Sequence, residues 1–297
     1  MESAMIAKTM SKAIKPFRLA CLFATYALGG GLVQYVRHLG NWGVLIQGGL
    51  FLLFVLLSIE LLKVLEQLRD IKHWPEDATL NQIKRTRWVI ALLIATFLTV
   101  AMRIAIDWLL AGSLWGGLTV LIIGFLFSVG IYYVSDLKDS LRPFKILIEA
   151  LLFVVIPPAI AFFTQSSEPH RFLTLAVIGL VPAYLAYRLL IQLKAYRHDL
   201  QNEILTFVTY VGWEKAMVIH NALILLAYLI FALIALLGFP WFLLWPVFLT
   251  LPIGLVEIWL IEGVRRGKKP LWGVMQFATA CVLFIPMYLL GFAFWIR

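Results

Sequence analysis

Charge is scarce in this chain, and that scarcity is the first constraint on what it can be. Only 14% of its 297 residues are Asp, Glu, Lys or Arg, while 62% are hydrophobic and the mean hydropathy is +0.93. A soluble domain turns about half its residues to water and carries nearer a quarter charged residues, so a soluble globular class is excluded. Cysteine is almost missing. Cys21 and Cys281 are the two present, both in hydrophobic runs, so neither a disulfide framework nor a zinc-ligand spacing can be drawn. They read as small apolar packing residues. Carboxylates are outnumbered, 16 against 25 basic residues, yet no separate basic domain exists and nucleic acid is not an expected partner. The first 16 residues are basic but lack the apolar core and cleavage site of a secretory signal.

Hydrophobic runs are abundant, each near the 20 or so residues that span a hydrocarbon core. They fall at 17–36, 43–64, 88–110, 114–134, 144–164, 172–193, 215–237, 241–261 and 271–295. Lipid requires each run to satisfy its own backbone as a helix. The expected fold is therefore all-α: a polytopic membrane protein of nine transmembrane helices bundled around a central cavity, with residues 1–297 as one domain. Gly29-Gly30-Gly31, Pro157-Pro158, Pro182, Pro246, Pro252 and Pro286 interrupt the runs. Kinks for packing explain such interruptions more simply than a cavity does.

Threading these spans places 21 of the 25 Lys and Arg residues on one side, leaving Arg37, Arg103, Arg171 and Arg297 on the other. Positive residues mark the cytoplasmic side. The expectation is an integral protein of a bacterial cytoplasmic membrane, with its N-terminus cytoplasmic and its C-terminus across the bilayer. The basic excess also suits anionic membrane lipid. Two of the cytoplasmic connections are long and charged, Lys63–Arg87 and Lys194–Lys215. They follow spans two and six, an interval that hints at two related halves.

Those connections carry the candidate chemistry. In Lys63-Val-Leu-Glu66-Gln-Leu-Arg69-Asp70-Ile-Lys-His73, the residues Lys63, Glu66, Asp70 and His73 recur at three- and four-residue intervals, on one face of a continuing helix. A shared Mg²⁺ would relieve the repulsion between Glu66 and Asp70. A solvated helix end, neutralised by Lys63 and Arg69, fits the same spacing. In Lys194-Ala-Tyr-Arg197-His198-Asp199-Leu-Gln-Asn202-Glu203-Ile-Leu-Thr206, the acids Asp199 and Glu203 again stand at i,i+4. Two such pairs on one side of the membrane could hold Mg²⁺ ions that clamp a diphosphate. Between spans four and five, Tyr132-Tyr133 precedes Arg142-Pro-Phe-Lys145 and Glu149. Arg142 and Lys145 suit phosphate oxygens, or snorkel to the interface, and Lys145 is the natural partner of Glu149. Arg103 and Asp107 read as an ion pair at the outer end of span three. Glu257 stands alone in span eight and needs a cavity or a cation. His220 and Asn221 read as interhelical hydrogen-bonding residues.

These stretches resemble the UbiA-type intramembrane prenyltransferases along essentially the whole chain. That family carries Asn-Asp-x-x-Asp-x-x-x-Asp in its first connection, where this chain has Leu62-Lys63-Val-Leu-Glu66-Gln-Leu-Arg69-Asp70. Glu66 and Asp70 match the later acids, and Leu62-Lys63 replaces the leading pair. One branch, with Leu-Arg-x-x-Asp-Glu-x-Lys-Asp, is closer. The second motif, Asp-x-x-x-Asp followed by Thr and Gly, is matched by Asp199, Glu203, Thr206 and Gly212. The family's Tyr-Ser … Arg-Leu-Lys … Glu stretch is echoed by Tyr133, Arg142, Lys145 and Glu149. The resemblance implies Mg²⁺-dependent transfer of an isoprenyl chain from its diphosphate to an aromatic or lipid acceptor within the membrane. It implies metal ligation by Glu66, Asp70, Asp199 and Glu203, catalytic roles for Lys63, Arg142 and Lys145, and substrate binding by Tyr133, Arg197 and Asn202. Lys63 in the place of an acid, Glu66 for Asp and the lost Asn-Asp pair support the alternative, a relative that has lost catalysis and serves as a lipid- or quinone-binding scaffold or as a subunit of a larger membrane complex. A transporter is the third class, short of an intramembrane charge series beyond Arg103, Asp107 and Glu257.

The charge split makes a direct prediction about topology. In intact cells, an impermeant thiol reagent should label Gln165→Cys and leave Asp77→Cys unmodified; the opposite pattern would invert the orientation.

Overall fold

The computed structural model describes residues 16–37, 41–68, 80–110, 116–137 and 140–296, and every regular element among them is helical. We number the elements α1 (Pro16–Arg37), α2 (Trp42–Gln67), α3 (Leu80–Leu110), α4 (Gly116–Leu137), α5 (Arg142–Phe163), α6 (Arg171–Gln201), α7 (Phe207–Val211), α8 (Trp213–Leu236), α9 (Trp241–Arg265) and α10 (Trp272–Ile296). Eight of these, all but α4 and α7, are long and apolar enough to cross a membrane. The run expected at 114–134 does fold as a helix, but its described apolar stretch, Gly117–Tyr132, is shorter.

The chain divides into two compact units, Met1–Ala20 with Asn41–Gly116 and Cys21–Gly40 with Gly117–Arg297. In the first, α2 and α3 pack antiparallel. Leu61, Val64 and Leu68 lie against Ile90 and Ile94, Phe54 stacks on Phe97 with ring centroids 5.5 Å apart, and Phe51 meets Trp108 at 5.6 Å. The Trp108 indole N–H donates to Gln47 Oε1 at 3.2 Å. Arg18 and Glu60 form a buried ion pair in the same unit, 2.5 Å apart.

In the second unit α6 is the central helix. Leu189, Leu190 and Leu193 share one buried cluster with Ile146 of α5, Val208 of α7, Ala216 and Met217 of α8, Ile261 of α9 and Met275 of α10. α6 begins at a cap, where His170 Nδ1 accepts from the Phe172 N–H at 3.3 Å. Partial burial, then the charges of Arg171 and Arg37, push the His170 pKa below 6.5, which favours the unprotonated acceptor nitrogen. Pro182 follows a break in α6 at Gly179, between Arg171–Ile178 and Leu180–Gln201.

The proline pair in α5 has a clear consequence. Phe153 lies four residues before Pro157 and five before Pro158, so neither position can donate an N–H to its carbonyl. The helix opens there into a π turn, Leu151–Val155. An orphaned carbonyl is costly in an apolar layer. α1 supplies the donors: Thr25 Oγ1 lies 2.9 Å from Phe153 O and Cys21 Sγ 3.7 Å from it. Cys21, expected as a packing residue, is buried as expected and also faces this carbonyl.

Gly29 lets the two helices approach this closely. A Cβ built there would stand 2.3 Å from Pro158 O, a backbone atom that cannot step aside. Gly29→Ala should therefore destabilise the protein by about 1–3 kcal/mol, as overpacking does. Gly124→Ala is the control, because a Cβ at Gly124 meets nothing within 4 Å. Thermal melting of both variants in one detergent checks the contact, and equal melting of the two would refute it.

Candidate functional site

The described part of the candidate site is built at the end of the second unit where α6 stops. Asp199 sits in the last turn of α6, 8% exposed, with His198 Nδ1 3.5 Å from its carboxylate. The helix closes by a Schellman arrangement. Ile204 N–H donates to Asp199 O at 2.8 Å and Glu203 N–H to Leu200 O at 3.4 Å, with Glu203 at φ +53°. This position normally takes glycine, because a side chain in the left-handed region costs about 1–2 kcal/mol. The expectation of one helical face for Asp199 and Glu203 is therefore corrected: α6 ends at Gln201, between them, and Glu203 turns out into the open. Asn202 caps the helix, its Nδ2 donating to His198 O at 2.7 Å, and like Arg197 it is exposed.

The chain then makes α7 and returns. Thr206 caps α7 reciprocally with Thr209, its own N–H donating to Thr209 Oγ1 at 2.7 Å and its Oγ1 accepting from Thr209 N–H at 3.3 Å. Gly212, at φ +89°, links α7 to α8 in a conformation that other residues avoid. Thr206 and Gly212, both motif positions, thus have local structural reasons to be what they are.

α7 also brings in the cationic stretch. Phe144, between Arg142 and Lys145, packs edge-on against Phe207 at 6.5 Å and Tyr210 at 5.8 Å. Arg142 and Lys145 are both half-buried at the start of α5. Lys145 Nζ stands 4.1 Å above the Tyr132 ring. One turn on, Glu149 is buried, with Oε2 2.5 Å from Arg188 Nε of α6 and Oε1 accepting from Tyr132 O–H at 3.2 Å. Arg188 lies 13 residues before the end of α6, inside the helix. Tyr133, the expected member of this group, is on α4, and its side chain falls outside the described residues.

The other expected ligands belong to the first unit. Lys63 is half-buried near the end of α2. The Glu66 backbone is helical, its side chain falls outside the described residues, and Asp70 and His73 fall outside them altogether. Among the described residues no group of three or more His, Cys, Asp or Glu side chains converges as a metal site. Mg²⁺ needs no more than one or two carboxylates beside phosphate oxygens and waters, so the missing cluster does not bear on a site of that size.

Two features lay outside the reach of spacing. Arg188 and Tyr132 were not expected to close on Glu149. Glu257, read as solitary, is fully buried against His220 of α8 and Thr279 of α10. Arg103 and Asp107 do pair as expected, 2.9 Å apart on the exposed side of α3. No family model matches the chain, and no curated protein matches it.

Buried Glu149 and half-buried Arg188 make an ion pair whose members depend on one another. Arg188→Met should cost about 3–5 kcal/mol by stranding the carboxylate, and adding Glu149→Leu should recover much of that loss. Additive losses in a double-mutant melting cycle would mean that the pair is not coupled.

Proposed function

We propose that this protein binds a prenyl diphosphate with Mg²⁺ and transfers its isoprenyl chain to a hydrophobic acceptor, aromatic or lipid, within the membrane. The observation that carries this reading is Glu203. It is the one non-glycine residue at positive φ among those described, exposed, and four residues after a buried aspartate. Packing gives no reason for a glutamate there. A strained, exposed carboxylate beside Asp199 has a chemical use, and backbone strain of this kind gathers at functional sites.

In this reading the chain supplies both signs of charge. Asp199 and Glu203, joined by Glu66 and Asp70 from the first connection, hold the metal; bound there, it would neutralise the diphosphate and stabilise its departure. Arg142 offers a bidentate fork to phosphate oxygens and Lys145 a point charge. Lys63 takes a phosphate contact in place of one metal ion. Arg197, Asn202 and Tyr133 orient the diphosphate. The bond from the prenyl carbon to the diphosphate oxygen breaks, a bond to the acceptor forms, and the prenyl tail lies among apolar helix faces that exclude water. The arrangement includes α4 as a ninth crossing, a central cavity opening where the two charged connections meet, and those connections on the cytoplasmic side of a bacterial membrane.

A second reading has its own support. Lys63 stands where the resembled family has an acid. That departure favours a non-catalytic scaffold that binds a lipid or quinone, alone or as a subunit of a larger membrane complex.

Labelled prenyl diphosphate and Mg²⁺, added to the purified protein in nanodiscs, distinguish these readings. Transferase function requires saturable Mg²⁺-dependent binding and turnover with an acceptor. Asp199→Asn and Glu203→Gly should each weaken binding by about tenfold or more, while Glu203→Gly raises stability by about 1 kcal/mol through relief of the left-handed strain. Lys63→Asp should raise the Mg²⁺ stoichiometry. Binding without turnover leaves the scaffold, and Mg²⁺-independent behaviour in every variant overturns the site.

A further inference from the structure

Glu257, His220 and Thr279 meet inside the second unit, away from the segment that ends α6. Each is 0% exposed. His220 lies seven residues into α8, Glu257 eight residues before the end of α9 and Thr279 seven residues into α10, so all three sit about 10–12 Å along their helices from the same basic end. His220 Nε2 is 3.1 Å from Glu257 Oε1, and the Thr279 hydroxyl contacts the same oxygen. His220 Nδ1 is 3.3 Å from Asn221 Oδ1. Among the described residues, Glu257 Oε2 has no hydrogen-bond partner, and Nε2, though close to Oε1, is not aligned as one.

The protons can be counted from these contacts. With the Asn221 amide oriented so that Oδ1 faces the ring, Oδ1 accepts and Nδ1 carries the hydrogen. Nε2 and Oε1 then face each other. With no proton between them, two lone pairs would stand 3.1 Å apart and a bare carboxylate would be buried in an apolar layer. With two, the pair would bury a net positive charge. Neighbouring groups do not alter the balance. Tyr228 of α8 donates or accepts at Thr250 Oγ1, 2.9 Å away; Lys194 of α6 reaches Gln276 of α10 at 3.0 Å; Arg188 of α6 is held by Glu149; and Arg265 and Arg266 of α9 pair with Glu262.

We propose that His220 and Glu257 form a proton-binding site in the apolar layer, holding one proton, on Nε2 or on the Glu257 carboxyl, as a net-neutral pair, with Asn221 and Thr279 fixing the two side chains. Passing the proton from carboxyl to imidazole breaks an O–H bond and forms an N–H bond, leaving the charge of the pair unchanged. Release to water leaves a buried carboxylate, so it requires α8 or α10 to part from α9. Proton occupancy and the packing of these three helices are thereby linked. The site stands independently of the proposed prenyl transfer.

Two spectroscopic signals on the full-length protein in nanodiscs at neutral pH test the count. One is the infrared C=O band of a protonated carboxyl, assigned by its loss in Glu257→Gln. The other is the nitrogen-15 ring signature of an imidazolium, assigned by its loss in His220→Gln. A single shared proton requires one of the two signals and only one. Finding both, or neither, overturns the proposal. If either variant does not fold, the wild type in D₂O serves instead: the buried pair must contribute one slowly exchanging signal, and two or none refutes it.

Discussion

Hydrocarbon offers no hydrogen bonds, so every polar group that these helices carry into it must find its partner within the protein. That constraint organises the second unit. Phe153 O, freed by Pro157 and Pro158, is met by Thr25 and Cys21 of α1. Glu149 is met by Arg188 and Tyr132, drawing α4 and α6 to α5. Glu257 is met by His220 and Thr279, drawing α8 and α10 to α9. Apolar packing between helices carries little direction, because lipid tails are as apolar as leucine. The polar contacts are the ones that specify which helix lies beside which.

Close approach is the second device, and it serves the first. Thr25 can reach Phe153 only because Gly29, one turn further along α1, lets the helix lie on the backbone of Pro158. Gly179 plays a similar part in α6, where a Cβ would stand 2.7 Å from the Phe231 ring. The interruptions that the sequence scatters through its apolar runs therefore have separate purposes: glycine for proximity, proline for a displaced carbonyl that binds a neighbour.

Helix positions were legible because lipid imposes length and composition on each run, and the described helices follow the runs to within a few residues at most ends. The larger overshoots have a cause. α3 begins at Leu80 and α6 continues to Gln201, because the charged residues beyond each run are good helix formers and extend the helix past the apolar stretch. Arg188, inside the apolar run at 172–193, is helical and half-buried. Contacts between helices were not legible. Nothing in the spacing around Glu257 or Glu149 names a partner 37 or 39 residues away along the chain. Nor could spacing reveal that α6 stops between Asp199 and Glu203, since the Schellman closure here uses a glutamate where glycine would announce it.

The second motif separates, on this geometry, into residues with structural reasons and one without. Thr206 closes a cap and Gly212 occupies a conformation that a Cβ would strain. Asn202 satisfies the carbonyl of His198. Any chain turning from α6 through α7 into α8 by this route would favour those choices, so their presence is weak support for chemistry. Glu203 has the opposite character. Glycine would fit its backbone better, and asparagine would tolerate it better. For a residue that the local fold disfavours, four positions after a buried aspartate, the proposed metal ligation supplies a reason that the backbone does not. The weight of the functional reading therefore rests on the residue that serves the helix least.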